Sequence, residues 1–199
     1  MRTLTAVLAL VFAIAVGMAV FGCTQREDAP NPHIPIARSP LDFTLTDMSG
    51  KPYPLNQHAG KVVLLVNVAS KCHFTPQYTA LQALFVRFRE RGLVVIGVPA
   101  NDFFGQEPGA DAEIQTFCST TYGVTFPIMA KVHVRGGEIC PLYQHLTTDS
   151  AKPGKISWNF VKFLVGRDGL VVERFGSTTA PDDAKLIAAV ELALAASVH

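Results

Sequence analysis

Four cysteines, Cys23, Cys72, Cys118 and Cys140, carry the most reactive chemistry open to this chain. Cys72 stands out by its place. It follows the run Val62-Val63-Leu64-Leu65-Val66-Asn67-Val68, whose β-branched content reads as a buried strand. Beyond Pro76, the apolar residues Leu81, Leu84, Phe85 and Phe88 recur at the spacing of one helix face. A cysteine in the turn between strand and helix lies near a helix N-terminus, where partial positive charge stabilises a thiolate. That placement points to redox chemistry. The cysteines show no C-x-x-C spacing and no histidine pair stands at ligand distance, so neither a zinc site nor any other metal is expected.

The elements that must position Cys72 follow from periodicity. Residues 41–46 alternate apolar and polar as a strand, and Asp47-Met48-Ser49-Gly50 turns it back. The buried strand 62–68, a helix over 77–90 and a second buried strand over 93–98 make a βαβ unit with parallel pairing. Asp111 is placed to cap a helix carrying Ile114, Phe117, Cys118 and Tyr122. A short strand over 128–130 and a short helix over 142–146 follow. Strands 160–165 and 170–175 are joined by Gly166-Arg167-Asp168-Gly169, a hairpin signal. Pro181 suits the first turn of a last helix with the apolar stripe Leu186, Val190, Leu194. The order predicts an α/β domain with a thioredoxin-like fold, a mixed central sheet flanked by helices.

The chain has 199 residues, 49% hydrophobic and 17% charged, enough for one domain with a real core and too apolar for general disorder. Net charge is +1, and no basic cluster points to nucleic acid. Residues 1–22 are a basic start followed by an apolar run somewhat short of the about 20 residues of a membrane span. This is the layout of a secretory leader. It ends in Val20-Phe21-Gly22-Cys23, which resembles a bacterial lipoprotein signal with Cys23 as the lipidated residue, although Phe21 departs from the small residue usual there. An uncleaved N-terminal anchor and a dispensable leader are the alternatives. Residues 23–40, with Pro30, Pro32, Pro35 and Pro40, read as a tether. The folded domain is expected over 41–199. The protein is then exported to a bacterial cell envelope or periplasm and held at the membrane by its lipid.

Several stretches together resemble one family. Val66–Tyr78 around Cys72, the loop Gly105-Gln106-Glu107-Pro108-Gly109, the segment Phe117 to Met129 and Trp158-Asn159-Phe160 are similar, in order, to the glutathione peroxidases of the cysteine-containing, thioredoxin-using branch. The resemblance implies that Cys72 is the peroxidatic cysteine and that Gln106, Trp158 and Asn159 complete an active-site tetrad. Side-chain amides and an indole N–H donate hydrogen bonds to sulfur and to a peroxide without carrying charge. The product is a Cys72 sulfenic acid. The resemblance implies that Cys118 resolves it to a Cys72–Cys118 disulfide. Cys118 shares the apolar face of its helix, and a disulfide needs Cα atoms within about 7 Å. The helix over 111–122 is therefore expected to unwind partly during turnover.

The family implies a hydroperoxide substrate, a thioredoxin-like protein or glutathione as reductant, and no cofactor. A resolving cysteine, and the lack of an evident basic cluster for glutathione's carboxylates, favour the thioredoxin-like dithiol. The short segment between Leu146 and Trp158 favours a monomer. His73 stands where the family usually has Gly: either it lowers the thiol pKa or supplies a proton, or it is a tolerated loop residue. Asp102 replaces a usual Gln and Ala100 a usual Cys. A carboxylate at 102 either acts on Cys72 or faces solvent. Lys71 either attracts anionic substrates or is a solvated lysine. Cys140 is expected to be buried and inert. Two other functions use the same residues: a thiol–disulfide oxidoreductase, and a non-catalytic redox-sensing lipoprotein.

Overall fold

Leu41, Phe43 and Leu45 all point inward, as their alternation predicts. Only Thr44–Thr46 form a strand, β1. Pro40–Asp42 form a 3-10 turn in place of the expected strand start. Pro40 fixes its φ there, the Leu41 N–H donates to Ser39 Oγ at 3.0 Å, and the Ser39 N–H donates to Asp42 Oδ2 at 3.0 Å. β1 pairs antiparallel with β2 (Pro52–Pro54). This strand is hidden in the sequence, because two prolines cannot donate to a ladder and read as a turn. The computed structural model describes residues 39–197. The leader, Cys23 and nearly all of the tether lie outside them.

β3 (Val62–Val68), helix α1 (Gln77–Phe88) and β4 (Leu93–Pro99) form the expected βαβ unit, paired in parallel from Val62↔Leu93 to Val68↔Pro99. Helix α2 (Asp111–Tyr122) and helix α3 (Pro141–Thr148) follow. β5 (Lys162–Val165) then pairs antiparallel with β3, and β6 (Val171–Phe175) antiparallel with β5, so the sheet order is β4-β3-β5-β6. Helix α4 (Ala184–Ala195) closes the described chain. Along β3, Val62, Leu64, Val66 and Val68 enter one core with α1, α2 and α4. Val63 and Leu65 enter a second core with β1 and α3. A sheet covered on both faces explains why β3 and β4 read as unbroken apolar runs.

Element ends differ from the sequence reading for identifiable reasons. After Phe88 the chain tightens into the 3-10 turn Arg89–Arg91 and stops at Gly92, φ +101. Asp111 lies in the first turn of α2 and is not its cap. The cap position is Ala110, whose N–H donates to Glu113 Oε2 at 2.8 Å. Pro181 precedes α4, because Asp183 accepts from the Lys185 N–H at 2.8 Å and starts the helix at Ala184. The strand expected over 128–130 is reduced to single bridges at Ile128 and Met129. It approaches β4 closely at Gly97, where an added Cβ would lie 2.5 Å from Ile128 Cδ1 and would force that side chain to shift.

One buried group strains this arrangement. Lys162 is fully buried, and its Nζ donates to Gln77 Oε1 and to the Thr179 carbonyl at 2.6 Å, neither of them a carboxylate. Burial pushes its ammonium down from 10.5 to about 7. Between these values the unfolded chain holds a proton that the folded chain lacks, so this group makes stability rise with pH through that window. The contribution is complete above the unfolded value and is lost as pH falls to the folded one. Lys162→Met should therefore flatten the rise in unfolding free energy between about pH 7 and about pH 10 relative to wild type. Denaturant titrations at the two pH values measure this, and equal slopes for the two proteins would refute it.

Candidate active site

Cys72 sits at the end of β3 in a turn built by a threonine. The Thr75 hydroxyl accepts from the Cys72 N–H at 2.9 Å and donates to the Ala69 carbonyl at 2.8 Å. The Thr75 N–H returns to the Cys72 carbonyl at 3.0 Å. This knot presents the Phe74 N–H to Cys72 Sγ at 3.4 Å, a donor aimed at the reactive atom. Cys72 is 7% exposed.

The loop after β4 runs beside this turn. The Lys71 N–H donates to the Gln106 carbonyl at 2.9 Å, and the Gln106 N–H to the Phe103 carbonyl at 3.2 Å. The Glu107 N–H is held by Asn101 Oδ1 at 2.8 Å, and Lys131 Nζ clamps the Glu107 and Gly109 carbonyls at 2.9 and 2.7 Å. Asn159 Nδ2 donates to Gln106 Oε1 at 2.9 Å. With its oxygen committed to Asn159, the half-buried Gln106 keeps its amide nitrogen as a donor. Asn159 is fully buried, and its Oδ1 has no hydrogen-bond partner among the described residues.

Trp158 is half-buried and packs against both cores. Its ring lies 5.5 Å from that of buried Phe103 and 5.6 Å from that of exposed Phe104. The chain reverses at Trp158-Asn159-Phe160, and Phe160 takes φ +65. That positive φ is incompatible with extended backbone, which is why β5 starts at Lys162 and not at Phe160 as the sequence suggests. Thus the structure brings Gln106 and Asn159 into direct contact, joins the Gln106 loop to the Cys72 turn through Lys71, and carries Trp158 on the same reversal as Asn159.

Cys118 is placed differently. It is fully buried on α2 in the core that also contains Cys72. Burial, with the negative Glu107 nearby, pushes its thiol up to about 11, and Tyr78 offsets this in part. The Tyr78 hydroxyl lies beside the sulfur without a hydrogen bond of ordinary geometry. Cys72, Cys118 and Cys140 are free thiols. Cys140 is half-buried at the start of α3, more accessible than the buried thiol expected.

The remaining neighbours resolve as follows. His73 is exposed, its ring edge-on to Phe74 at 5.4 Å, as a loop residue would be. Lys71 is exposed, as a solvated lysine would be, although it also borders a cavity of about 370 Å³ with Ser70, Glu107, Gly109, Ile114 and Phe117. Asp102 does not face solvent. Its side chain is 9% exposed, Oδ1 binds His133 Nδ1 at 2.7 Å and Oδ2 accepts from the Val134 N–H at 2.7 Å. This partnership raises the His133 pKa and engages both carboxylate oxygens of Asp102.

Three residues that shape the site were not singled out from the sequence. Glu107 is fully buried, and burial raises its pKa. Ser70, Lys131 and Lys71 counter this in part, although the Ser70 hydroxyl closes no hydrogen bond of ordinary geometry with it. Thr75 left only the weak signal of a hydroxyl three residues after the cysteine. Asn67 left a clear one, a single amide in an apolar strand. Its Nδ2 donates to the Trp158 carbonyl at 3.0 Å, its Oδ1 accepts from the Val161 N–H at 3.0 Å, and its own carbonyl accepts from the Phe160 N–H at 2.6 Å. Asn67→Ala leaves two buried backbone groups unpaired and should cost about 2–4 kcal/mol of stability, read as a lowered urea midpoint. A loss below about 1 kcal/mol would mean that the reversal does not depend on this side chain.

Comparison with known proteins shows the family. The family model described as glutathione peroxidase matches residues 41–147. The chain is 52% identical over 155 residues to a hydroperoxy fatty acid reductase, Gpx2, of Synechocystis sp., covering 78% of this chain and 99% of that one. It is 41% identical over 177 residues to the thioredoxin/glutathione peroxidase BtuE of Escherichia coli, covering 78% and 97%. The crystal structure of T. cruzi GPX1 superposes with a TM-score of 0.65 at 31% identity, covering 81% of this chain and all of that one. The fold is thioredoxin-like, and the chain belongs to the glutathione peroxidase family.

Proposed function

We propose that this peroxidase works through a Cys72 thiolate that attacks the terminal oxygen of a hydroperoxide. The O–O bond breaks, the sulfur becomes a sulfenic acid, and the alkoxide or hydroxide leaves as alcohol or water after taking a proton. The observation that carries this reading is the Asn159–Gln106 hydrogen bond, beside the Lys71–Gln106 link to the Cys72 turn. It fixes the Gln106 amide as a donor at the mouth of the site. Trp158 Nε1, which has no hydrogen bond to the described residues, is the second donor. Together they hold the peroxide and stabilise the departing oxygen anion without charging the site.

Cys118 then attacks the sulfenic acid, giving the disulfide and water, and a thioredoxin-like dithiol reduces it. Glutathione is the second candidate reductant, since the Escherichia coli relative is named for both. In the fold as it stands the Cys118 sulfur is buried and its pKa is high, so the step requires α2 to unwind and hydrate the thiol. The substrates are hydrogen peroxide and organic or lipid hydroperoxides. The Synechocystis relative, named a hydroperoxy fatty acid reductase, supports the latter. The leader, the Val-x-Gly-Cys ending at Cys23 and the prolines of residues 24–40 support an exported, membrane-tethered protein in a bacterial envelope, and the short segment between Leu146 and Trp158 supports a monomer.

Stopped-flow oxidation tests the chemistry. Wild type and Cys118→Ser should each consume one equivalent of peroxide rapidly, and Cys72→Ser should not. Slow oxidation of wild type would remove the peroxidase mechanism and leave a disulfide exchanger or sensor. Steady turnover should be sustained by thioredoxin better than by glutathione, and should be lost in Cys118→Ser. The mass of the membrane-extracted protein decides whether Cys23 carries lipid.

Accessibility gives a separate test of α2. In the folded, reduced protein at neutral pH, iodoacetamide should label Cys72 and spare Cys118, and protease should cut α2 faster after oxidation. Equal labelling of the two thiols, or protease sensitivity unchanged by oxidation, would count against a helix that must open.

A further inference from the structure

Phe104 is conspicuous for what it does not do. It has φ +55, a left-handed conformation that a bulky side chain adopts only under constraint. Its side chain is 87% exposed, so the strain is not offset by burial in the core. The other exposed large apolar residues, Val86, Leu170, Val172 and Leu192, lie on α1, at the β5–β6 hairpin, on β6 and on α4. Phe104 instead stands two residues before Gln106 in the active-site loop, with its ring against Trp158.

Its surroundings extend this surface. Trp158 and Phe104 form an aromatic shelf seated on the buried Phe103, whose ring Arg135 covers at 4.9 Å. On the Cys72 turn the half-buried Phe74, whose N–H points at the sulfur, is a further apolar residue beside the cysteine. Charges around the shelf are mixed: Arg135 and His133 against Asp102 and Glu138. There is no basic surplus of the kind that draws a protein to an anionic bilayer. One narrow shelf of this kind fits a single hydrocarbon chain. Hydrogen peroxide has no apolar part and gains nothing from it.

We propose that Phe104, with Trp158 beneath it, is a specificity-determining residue that holds the acyl chain of a monomeric fatty-acid hydroperoxide while its peroxide group reaches Cys72. This rests on the peroxidase reading above and names the substrate part that the site recognises. The chain loses water against the ring face, so the contact raises kcat/KM for long chains selectively.

The test compares kcat/KM for linoleic acid hydroperoxide, below its micellar concentration, with that for hydrogen peroxide. The ratio should fall about tenfold in Phe104→Gly and Phe104→Ala, the loss expected for about two methylenes' worth of contact. Phe104→Leu should recover most of it, and Leu192→Ala should leave it unchanged. Phe104→Gly relieves the positive φ, so a melting temperature that is unaltered or raised accompanies the expected result and excludes misfolding as its cause. An unchanged ratio, or an equal fall for both substrates, overturns the proposal. So does a fall seen only with hydroperoxide in phosphatidylcholine vesicles, which would assign Phe104 to a bilayer surface. Failure of wild type to reduce either hydroperoxide would instead strike the peroxidase reading.

Discussion

The site depends on Asn67. Strand β3 delivers Cys72 at its end, but β5 begins only after a reversal that an apolar strand cannot hold. Asn67 holds it with both side-chain ends and its backbone, contacting Trp158, Phe160 and Val161. One buried amide therefore sets the position of Trp158 and Asn159 relative to Cys72. The buried polar group is fully satisfied, which makes it a fixed strut and not a liability. Asn159 extends the strut to Gln106, and Gln106 extends it to Lys71 at the cysteine turn. The chain of bonds runs from β3 across the sheet and back to its own end.

Around this strut the fold tolerates groups that a stability-optimised core would exclude. Lys162 is buried without a carboxylate, Glu107 is buried with its pKa raised, and Asn159 Oδ1 is buried without a described partner. All three lie at the end of the sheet that carries Cys72 or in loops leading from it. Neither β3 nor β4 holds a charged residue. Costly burial of this kind recurs at functional sites, where stability is given up to position reactive groups.

Much of this was legible in the sequence, and the failures have physical causes. β3, α1 and β4 could be read because two covered faces give long apolar runs and one helix face gives a clean period. Cys72 could be placed because strand and helix bracket it. Gln106, Trp158 and Asn159 entered through resemblance, since nothing in their own spacing shows that Gln106 and Asn159, 53 residues apart, would meet beside the Cys72 turn. Asn67 was visible as a lone amide, but its partners are long-range and no local rule names them. Phe160 and Phe104 were missed for one reason: positive φ on an aromatic residue is imposed by tertiary contacts and leaves no trace in composition. β2 was hidden by its two prolines, and Asp102 by a partner 31 residues away.

The same logic bears on α2. Its core contacts are few: Ile114 and Cys118 are buried, and Phe117 and Tyr122 half-buried. Its outer face is rich in Ser and Thr, residues of modest helix propensity. Thr116 bonds back to the Ala112 carbonyl, and Ser119 and Thr120 both bond back to the Thr116 carbonyl, competing with the helix's own ladder. Glu107, just ahead of it, is buried and incompletely paired, and a cavity lies against its first two turns. These are the marks of a segment at the low end of local stability. By contrast, the reversal held by Asn67 is among the most closely bonded parts of the structure. On the proposed mechanism, the thiol that must stay inert until needed sits on the first kind of element, and the groups that would position a peroxide sit on the second. The fold separates the two by placing one on a weakly held helix and the other on the end of a buried sheet.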